Sequence, residues 1–283
     1  MTASFASLPI VDVGALQAPN CSAIDADYLS KQLYDVFLAT GFAYFPTQSH
    51  LASDNLIEGF EIGNPRANRA SSLKTQKVNL TESNVWPDKH DFGSREQLEQ
   101  AYNELQALAS QLLSLLAISL DDSLSTLRLL HYPPAQKQPT QRKPDSTQLS
   151  CTPHTDSGIL TLLHQGTTGG LEVLNTSGEW VPVPYVPASI VVNIGDLMAT
   201  VSGGRFTATM HRVRTPPRSS TSDHGLGRFS IPFFFEPGEA CVVVPVDGDE
   251  AGVVYGEHLR KEMATWVKFQ NDSGYDTGTT EEM

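Results

Sequence analysis

The chain has 283 residues, 40% of them hydrophobic and 18% charged, enough to bury one substantial core, so a single domain over residues 1–283 is expected. Its net charge of −13 repels phosphate backbones and its 19 lysines and arginines form no run or stripe, which argues against nucleic acid as a partner. No apolar stretch approaches bilayer-spanning length, no basic leader precedes an apolar segment, and three scattered cysteines (Cys21, Cys151, Cys241) suit reduced thiols, so a cytoplasmic protein without membrane association is expected.

In chain order, Leu8 to Asp12 reads as a short strand. Leu29, Leu33, Val36 and Phe37 then fall on one side of a helix from about Ala26 to Thr40, which Gly41 stops before a strand over Phe42–Phe45. From Ser94 to Leu120 the leucines recur near a 3.6 period, with Glu96, Glu99 and Glu104 opposite, which predicts a long core-facing helix. Leu127 to Tyr132 reads as a strand, and the proline-rich segment 133–149 as a polar loop that cannot join a ladder. Short strands follow, punctuated by turns at Asn175–Gly178, Gly195–Asp196 and Ser202–Gly204, then a loop over 215–227. A helix is expected over Glu257–Lys268 and a frayed polar tail from Asn271. The pattern predicts a mainly β fold with flanking helices around a double-stranded β-helix, or jelly roll. In it 1–125 are mostly helical support, 126–250 the jelly-roll core and 251–283 a C-terminal helix and tail.

The chemistry concentrates in Cys151-Thr152-Pro153-His154-Thr155-Asp156-Ser157-Gly158-Ile159-Leu160-Thr161-Leu162-Leu163. In an extended segment residues i and i+2 share a face about 6 to 7 Å apart, so His154 and Asp156 can aim at one metal while Thr155 points away. His211, in the strand-like Thr207–Val213, supplies a second imidazole. Two histidines and one carboxylate leave open positions on a six-coordinate ion and suit non-haem Fe(II). A closed structural zinc site wants four ligands, and a hydrolytic zinc helix wants two histidines at helical spacing beside a glutamate. A hydrogen-bonded loop histidine is the plain alternative. His224 reads as solvent-exposed, and His50, His90, His131, His164 and His258 read as structural.

Downstream, alternation in Arg228-Phe229-Ser230-Ile231-Pro232-Phe233-Phe234-Phe235 puts Arg228, Ser230 and Phe234 on one face. A guanidinium in so apolar a strand needs a partner, and its planar fork suits a carboxylate, with Ser230 as a further donor. A small dicarboxylate would satisfy it, as would an internal salt bridge.

The order HTDxGxLTLL, a second histidine in Met210-His211-Arg212-Val213, then RxS, resembles the isopenicillin N synthase type of Fe(II)/2-oxoglutarate-dependent dioxygenase, with details nearest to fungal thymine-hydroxylase-like members. Leu127–Pro133, Gly169–Val173, Val191–Leu197, Pro9–Asp12, Gly41–Phe45 and Asn84–Pro87 extend the resemblance over nearly the whole chain. It implies Fe(II) on His154, Asp156 and His211, and 2-oxoglutarate reaching Arg228 and Ser230, with Tyr132 at a position whose hydroxyl contacts that co-substrate. It also implies O2 as oxidant, ascorbate as reductant in vitro, and a small-molecule substrate held near Phe234. The outcome would be hydroxylation, desaturation or cyclisation with release of succinate and CO2, as in secondary metabolism. Two features depart from the pattern: Leu130 stands where many relatives carry a polar residue, and the stretch around 46–60 is shorter. A 2-oxoglutarate-independent Fe(II) oxidase and a catalytically silent jelly-roll binding protein remain alternatives. The sequence does not set the oligomeric state.

Overall fold

A computed structural model describes residues 5–13, 23–46, 59–65, 83–90, 92–115, 124–132, 149–215, 227–246 and 252–265. The segments 47–58, 133–148 and 216–226, together with His50 and His224, lie outside the described residues. So do the tail and the end of the expected last helix.

Helix α1 spans Ala23–Ala39 and buries Leu29, Leu33 and Phe37. It ends where Gly41 takes φ +65, and a Cβ there would lie 2.0 Å from the Thr207 carbonyl oxygen, so only glycine fits. Strands β1 (Phe42–Pro46) and β2 (Gly59–Ile62) follow, then helix α2 (Arg95–Leu115), whose buried stripe is Ala101, Tyr102, Leu105, Leu108, Ala109, Leu112 and Leu113. Leu8–Asp12 makes no strand. A lone bridge at Ile10 stands in its place, because Leu8 joins one core while Val11 and Val13 join another and Ile10 is exposed.

Strands β3 (Thr126–Tyr132), β4 (Leu149–His154), β5 (Leu160–Gln165), β6 (Leu171–Leu174), β7 (Trp180–Pro182) and β8 (Ser189–Ile194) lead to the short helix α3 (Asp196–Val201). That helix occupies a position the sequence suggests as a turn. Strands β9 (His211–Arg214), β10 (Arg228–Phe235), β11 (Val242–Val243) and β12 (Val253–Val254) and helix α4 (Tyr255–Thr265) complete the described elements.

The strands form two antiparallel sheets, the six-stranded β1-β8-β5-β10-β3-β2 and the four-stranded β4-β9-β6-β7, with β11 and β12 paired apart. This is the jelly roll expected from the sequence. Two cores fix it. Leu127, Leu160, Leu162, Ile190, Val192, Phe233 and Phe235 pack the outer face of the large sheet onto α1 and α2, with Phe233 edge-on to Tyr102 at 5.2 Å. Phe42, Leu163, Val191, Leu171, Val173, Val181 and Val213 fill the space between the sheets. Burial on both faces suits the apolar run Ile190-Val191-Val192 within β8.

The chain crosses from the small sheet to the large one between His154, the last residue of β4, and Leu160, the first of β5. The His-Thr-Asp stretch is that crossing. It is docked onto the start of α3 by three backbone bonds: Asp196 N–H to the Asp156 carbonyl (2.7 Å), Gly195 N–H to Ile159 (3.0 Å) and Leu197 N–H to Gly158 (3.2 Å). The approach is so close that a Cβ on Gly195 would sit 2.2 Å from the Gly158 carbonyl oxygen.

Candidate active site

His154 and His211 are brought together by strand register. They are directly paired across β4 and β9, and their ring centroids are 4.3 Å apart. Asp156 lies just beyond, buried, with Oδ1 at 3.6 Å from His211 Nε2 and 3.9 Å from His154 Nε2. One donor atom from each residue falls within 4.8 Å of the other two. Thr155 points away, as expected, and donates to Asp196 Oδ2 at 2.7 Å.

The surrounding hydrogen bonds decide which atoms are available. His154 Nδ1 lies 2.8 Å from the Thr152 carbonyl oxygen, and His211 Nδ1 3.2 Å from that of Thr209. A carbonyl can only accept, so each Nδ1 carries the proton and, in the neutral ring, each Nε2 lone pair is left to face Asp156. On Asp156, Oδ2 accepts from Thr161 Oγ1 (2.6 Å) and Asn193 Nδ2 (2.8 Å), which leaves Oδ1 turned to the histidines. Thr161 and Asn193 are themselves cross-strand partners on β5 and β8. Phe42, paired with Asn193, sets its ring edge-on to His211 at 5.6 Å. Sequence reasoning missed these three supports. Their signal was that Thr161 and Asn193 are polar residues in strands otherwise apolar on both faces.

Burial holds the pKa of His211 below its usual value, as suits a neutral ligand. Burial alone would also lower His154, but the Cys151 sulfur 3.7 Å from Nδ1, the Thr152 carbonyl and Asp156 outweigh it and raise the value to about 9. A cation at Nε2 competes with that proton. The donor set fits Fe(II): nitrogen, nitrogen and oxygen on one side, with the 3.6 and 3.9 Å carboxylate–imidazole gaps somewhat under 1 Å wider than the ~3 Å edges of an octahedron with ~2.1 Å bonds.

Farther along the same wall, Arg228 is 2% exposed. It donates from Nε to the Gly169 carbonyl (2.9 Å) and from Nη1 to Ser230 Oγ (3.0 Å), and stands 5.1 Å from the Tyr132 ring centre. Tyr132 is its cross-strand partner. Burial lowers the pKa of Arg228 and raises that of Tyr132. No carboxylate among the described residues forms an ion pair with Arg228, so the internal salt bridge is not seen there. Phe234 lies opposite Thr161 and therefore on the inward face, as alternation indicates. Leu130 pairs with Ser230 and so stands beside the Arg228–Ser230 pair with an apolar side chain.

Residues 123–237 match the family model described as the 2OG-Fe(II) oxygenase superfamily. A 2-oxoglutarate-dependent dioxygenase of Didymella fabae is 37% identical over 54% of this chain and 48% of its own length. The 2-oxoglutarate-Fe(II) type oxidoreductase hxnY of Emericella nidulans is 35% identical over 57% of this chain and 48% of its own. The chain thus spans about half the length of these curated relatives. Among solved structures, the full-length thymine-7-hydroxylase of Neurospora crassa in complex with alpha-KG superposes with a TM-score of 0.72 at 20% identity, over 91% of this chain and 96% of that one, a likeness of fold.

Proposed function

Since residues 123–237 belong to the 2OG-Fe(II) oxygenase superfamily, we propose that this chain uses Fe(II), 2-oxoglutarate and O2 to oxidise a C–H bond of a small organic substrate, releasing succinate and CO2. For hydroxylation the balance is substrate, 2-oxoglutarate and O2 going to hydroxylated substrate, succinate and CO2, with one oxygen atom in succinate and the other in the product. The observation that carries the proposal is the division of labour at Asp156, with Oδ2 tied to Thr161 and Asn193 while Oδ1 faces two Nε2 lone pairs.

His154, Asp156 and His211 would hold the iron on one side and leave positions for co-substrate and gas. When bound, the iron supplies the one-electron and O2 chemistry that the side chains lack. Thr161 and Asn193 keep the carboxylate from rotating, and the Thr152 and Thr209 carbonyls fix the ring tautomers. Arg228 and Ser230, buried and already linked, would take the far carboxylate of 2-oxoglutarate, with Tyr132 beside them. Phe42, Val173, Val191 and Leu163 keep the space between the sheets apolar and dry, which protects a reactive oxidant from side reactions. Phe234, on the same face, forms part of the substrate wall. Its free thiols, Cys151 and Cys241 among the described residues, suit the cytoplasm as its location.

The test supplies purified protein with Fe(II), ascorbate and 2-oxoglutarate in air and measures succinate. Succinate that disappears in His211→Ala supports the proposal. Iron binding without succinate under any condition points to a silent binding module, and product without 2-oxoglutarate points to an oxidase.

A further inference from the structure

A second arginine shares the wall of the active site. Asp156 is held by Thr161; Thr161 pairs with Phe234 across β5 and β10; Phe234 pairs with Thr126 across β10 and β3; and Arg128 is two residues on from Thr126. Cross-strand partners and i, i+2 neighbours share a face, so Arg128 looks into the same space as Asp156, two strand spacings or about 10 Å across the sheet. Its guanidinium carbon stands 5.0 Å from the centre of the Phe234 ring.

Arg128 is unlike Arg228 in what it bonds. Its Nε is buried and has no hydrogen-bond acceptor, although Glu61 Oε1 lies 3.0 Å away, because the N–H is not directed at that oxygen. Glu61 is its partner in register on the edge strand β2, with a side chain 48% exposed. Next to Glu61 on the same face, Gly59 opposes Leu130, and a Cβ added at Gly59 would meet nothing within 4 Å. A partly buried, planar cation is therefore stacked on an aromatic ring, ion-paired with Glu61 at the exposed edge and acting electrostatically on Glu236, yet its buried Nε–H has no acceptor. A carboxylate arriving in line with that N–H would supply the missing acceptor, and the planar fork can take it bidentately.

We propose that Arg128 selects the substrate. Its guanidinium holds the carboxylate of a small organic acid whose oxidised carbon lies over Phe234, between Arg128 and the His154–Asp156–His211 cluster. This rests on the oxygenase reading above and names the substrate class for that same site. The span of about 10 Å limits the acid to a short aliphatic or aryl-alkanoic skeleton. Glu61 competes for the same cation and tunes its affinity.

The test is anaerobic calorimetry on protein loaded with Fe(II) and 2-oxoglutarate. The probes are short aliphatic and aryl-alkanoic acids, each compared with its primary amide. At least one acid should bind about tenfold or more tighter than its amide. Arg128→Gln should weaken that acid by about 30-fold or more and erase the preference, whereas Arg128→Lys should retain part of it. Glu61→Gln should tighten acid binding severalfold, an opposite sign that a damaged fold cannot produce. No preference for any acid, a preference that survives Arg128→Gln, or acid binding unmoved by Glu61→Gln would each overturn the assignment. Succinate measured in air on the same preparations separates the two levels. Succinate without acid selectivity removes the role of Arg128 and leaves the oxygenase reading in place, whereas absence of both iron binding and succinate removes that reading itself.

Discussion

His154 and His211 are opposite each other on adjacent strands, with ring centroids 4.3 Å apart, although 57 positions separate them in the chain. The ladder between β4 and β9 sets their spacing, so each imidazole is positioned by backbone pairing more than by its own packing. His211→Ala should lower iron affinity by about 100-fold or more, because two donors remain where three are needed. Colorimetric iron content after gel filtration checks it, and full iron occupancy in the variant would remove His211 from the ligand set.

Asp156 depends on two hydrogen bonds to its second oxygen. Asn193→Ala and Thr161→Val should each lower iron affinity or turnover by about 10- to 100-fold with the three donors still present. Competition with a chelator measures the effect. A loss of thermal stability with unchanged iron affinity would show that these residues serve the fold alone.

Arg228 is buried beside Ser230 and Tyr132 without a carboxylate partner among the described residues. Arg228→Ala should raise the 2-oxoglutarate concentration at half-saturation by about 30-fold or more and leave iron bound. Arg228→Lys should restore little, since an ammonium lacks the planar fork. Saturation curves for succinate formation decide it, and an unchanged curve in Arg228→Ala would place 2-oxoglutarate elsewhere.

Gly195→Ala should be severely destabilising, by about 3 kcal/mol or more, since its Cβ would fall 2.2 Å from the Gly158 carbonyl oxygen and both segments are backbone. Relief would push the His-Thr-Asp crossing away from α3, so iron affinity should fall together with Tm. A Tm within a degree or so of the parent would show that the crossing has slack.

Glu236 follows β10 and is raised by burial to about 7. Its folded pKa lies above the unfolded value, so above the unfolded pKa the native state binds more protons than the unfolded one. Stability should therefore decline as pH rises from about 4.5 to 7. Glu236→Gln should flatten that decline, as read from Tm across the range. Parallel curves for parent and variant would assign the slope to other groups.

Much of this architecture is legible because the chemistry sits in short local patterns. His154 and Asp156 are two residues apart, Arg228 and Ser230 are two residues apart, and alternation alone puts Phe234 with the latter pair. The helices are legible from leucine spacing, with α1 and α2 starting within a few residues of the expected positions. What stays hidden depends on sheet order. Thr161 meets Asn193, and Arg128 meets Glu61 and Phe234, only because β5 lies beside β8 and β3 lies between β10 and β2, pairings that no local period encodes. Leu8–Asp12 misleads for a related reason: its apolar residues serve two cores instead of one face. On β3 the motif draws attention to Tyr132, while Arg128, two repeats of the pleat away, gives no local signal of its own.

Asp156 sits where the polypeptide leaves one sheet for the other, while both imidazoles belong to the smaller sheet and the bonds that steady the carboxylate come from the larger. A ferrous ion gripped there would rivet two layers that otherwise meet mainly through apolar contacts. Loading the metal would then stiffen the sandwich at its mouth, and amides of β4 and β9 would trade their hydrogens for deuterium more slowly than in the stripped protein.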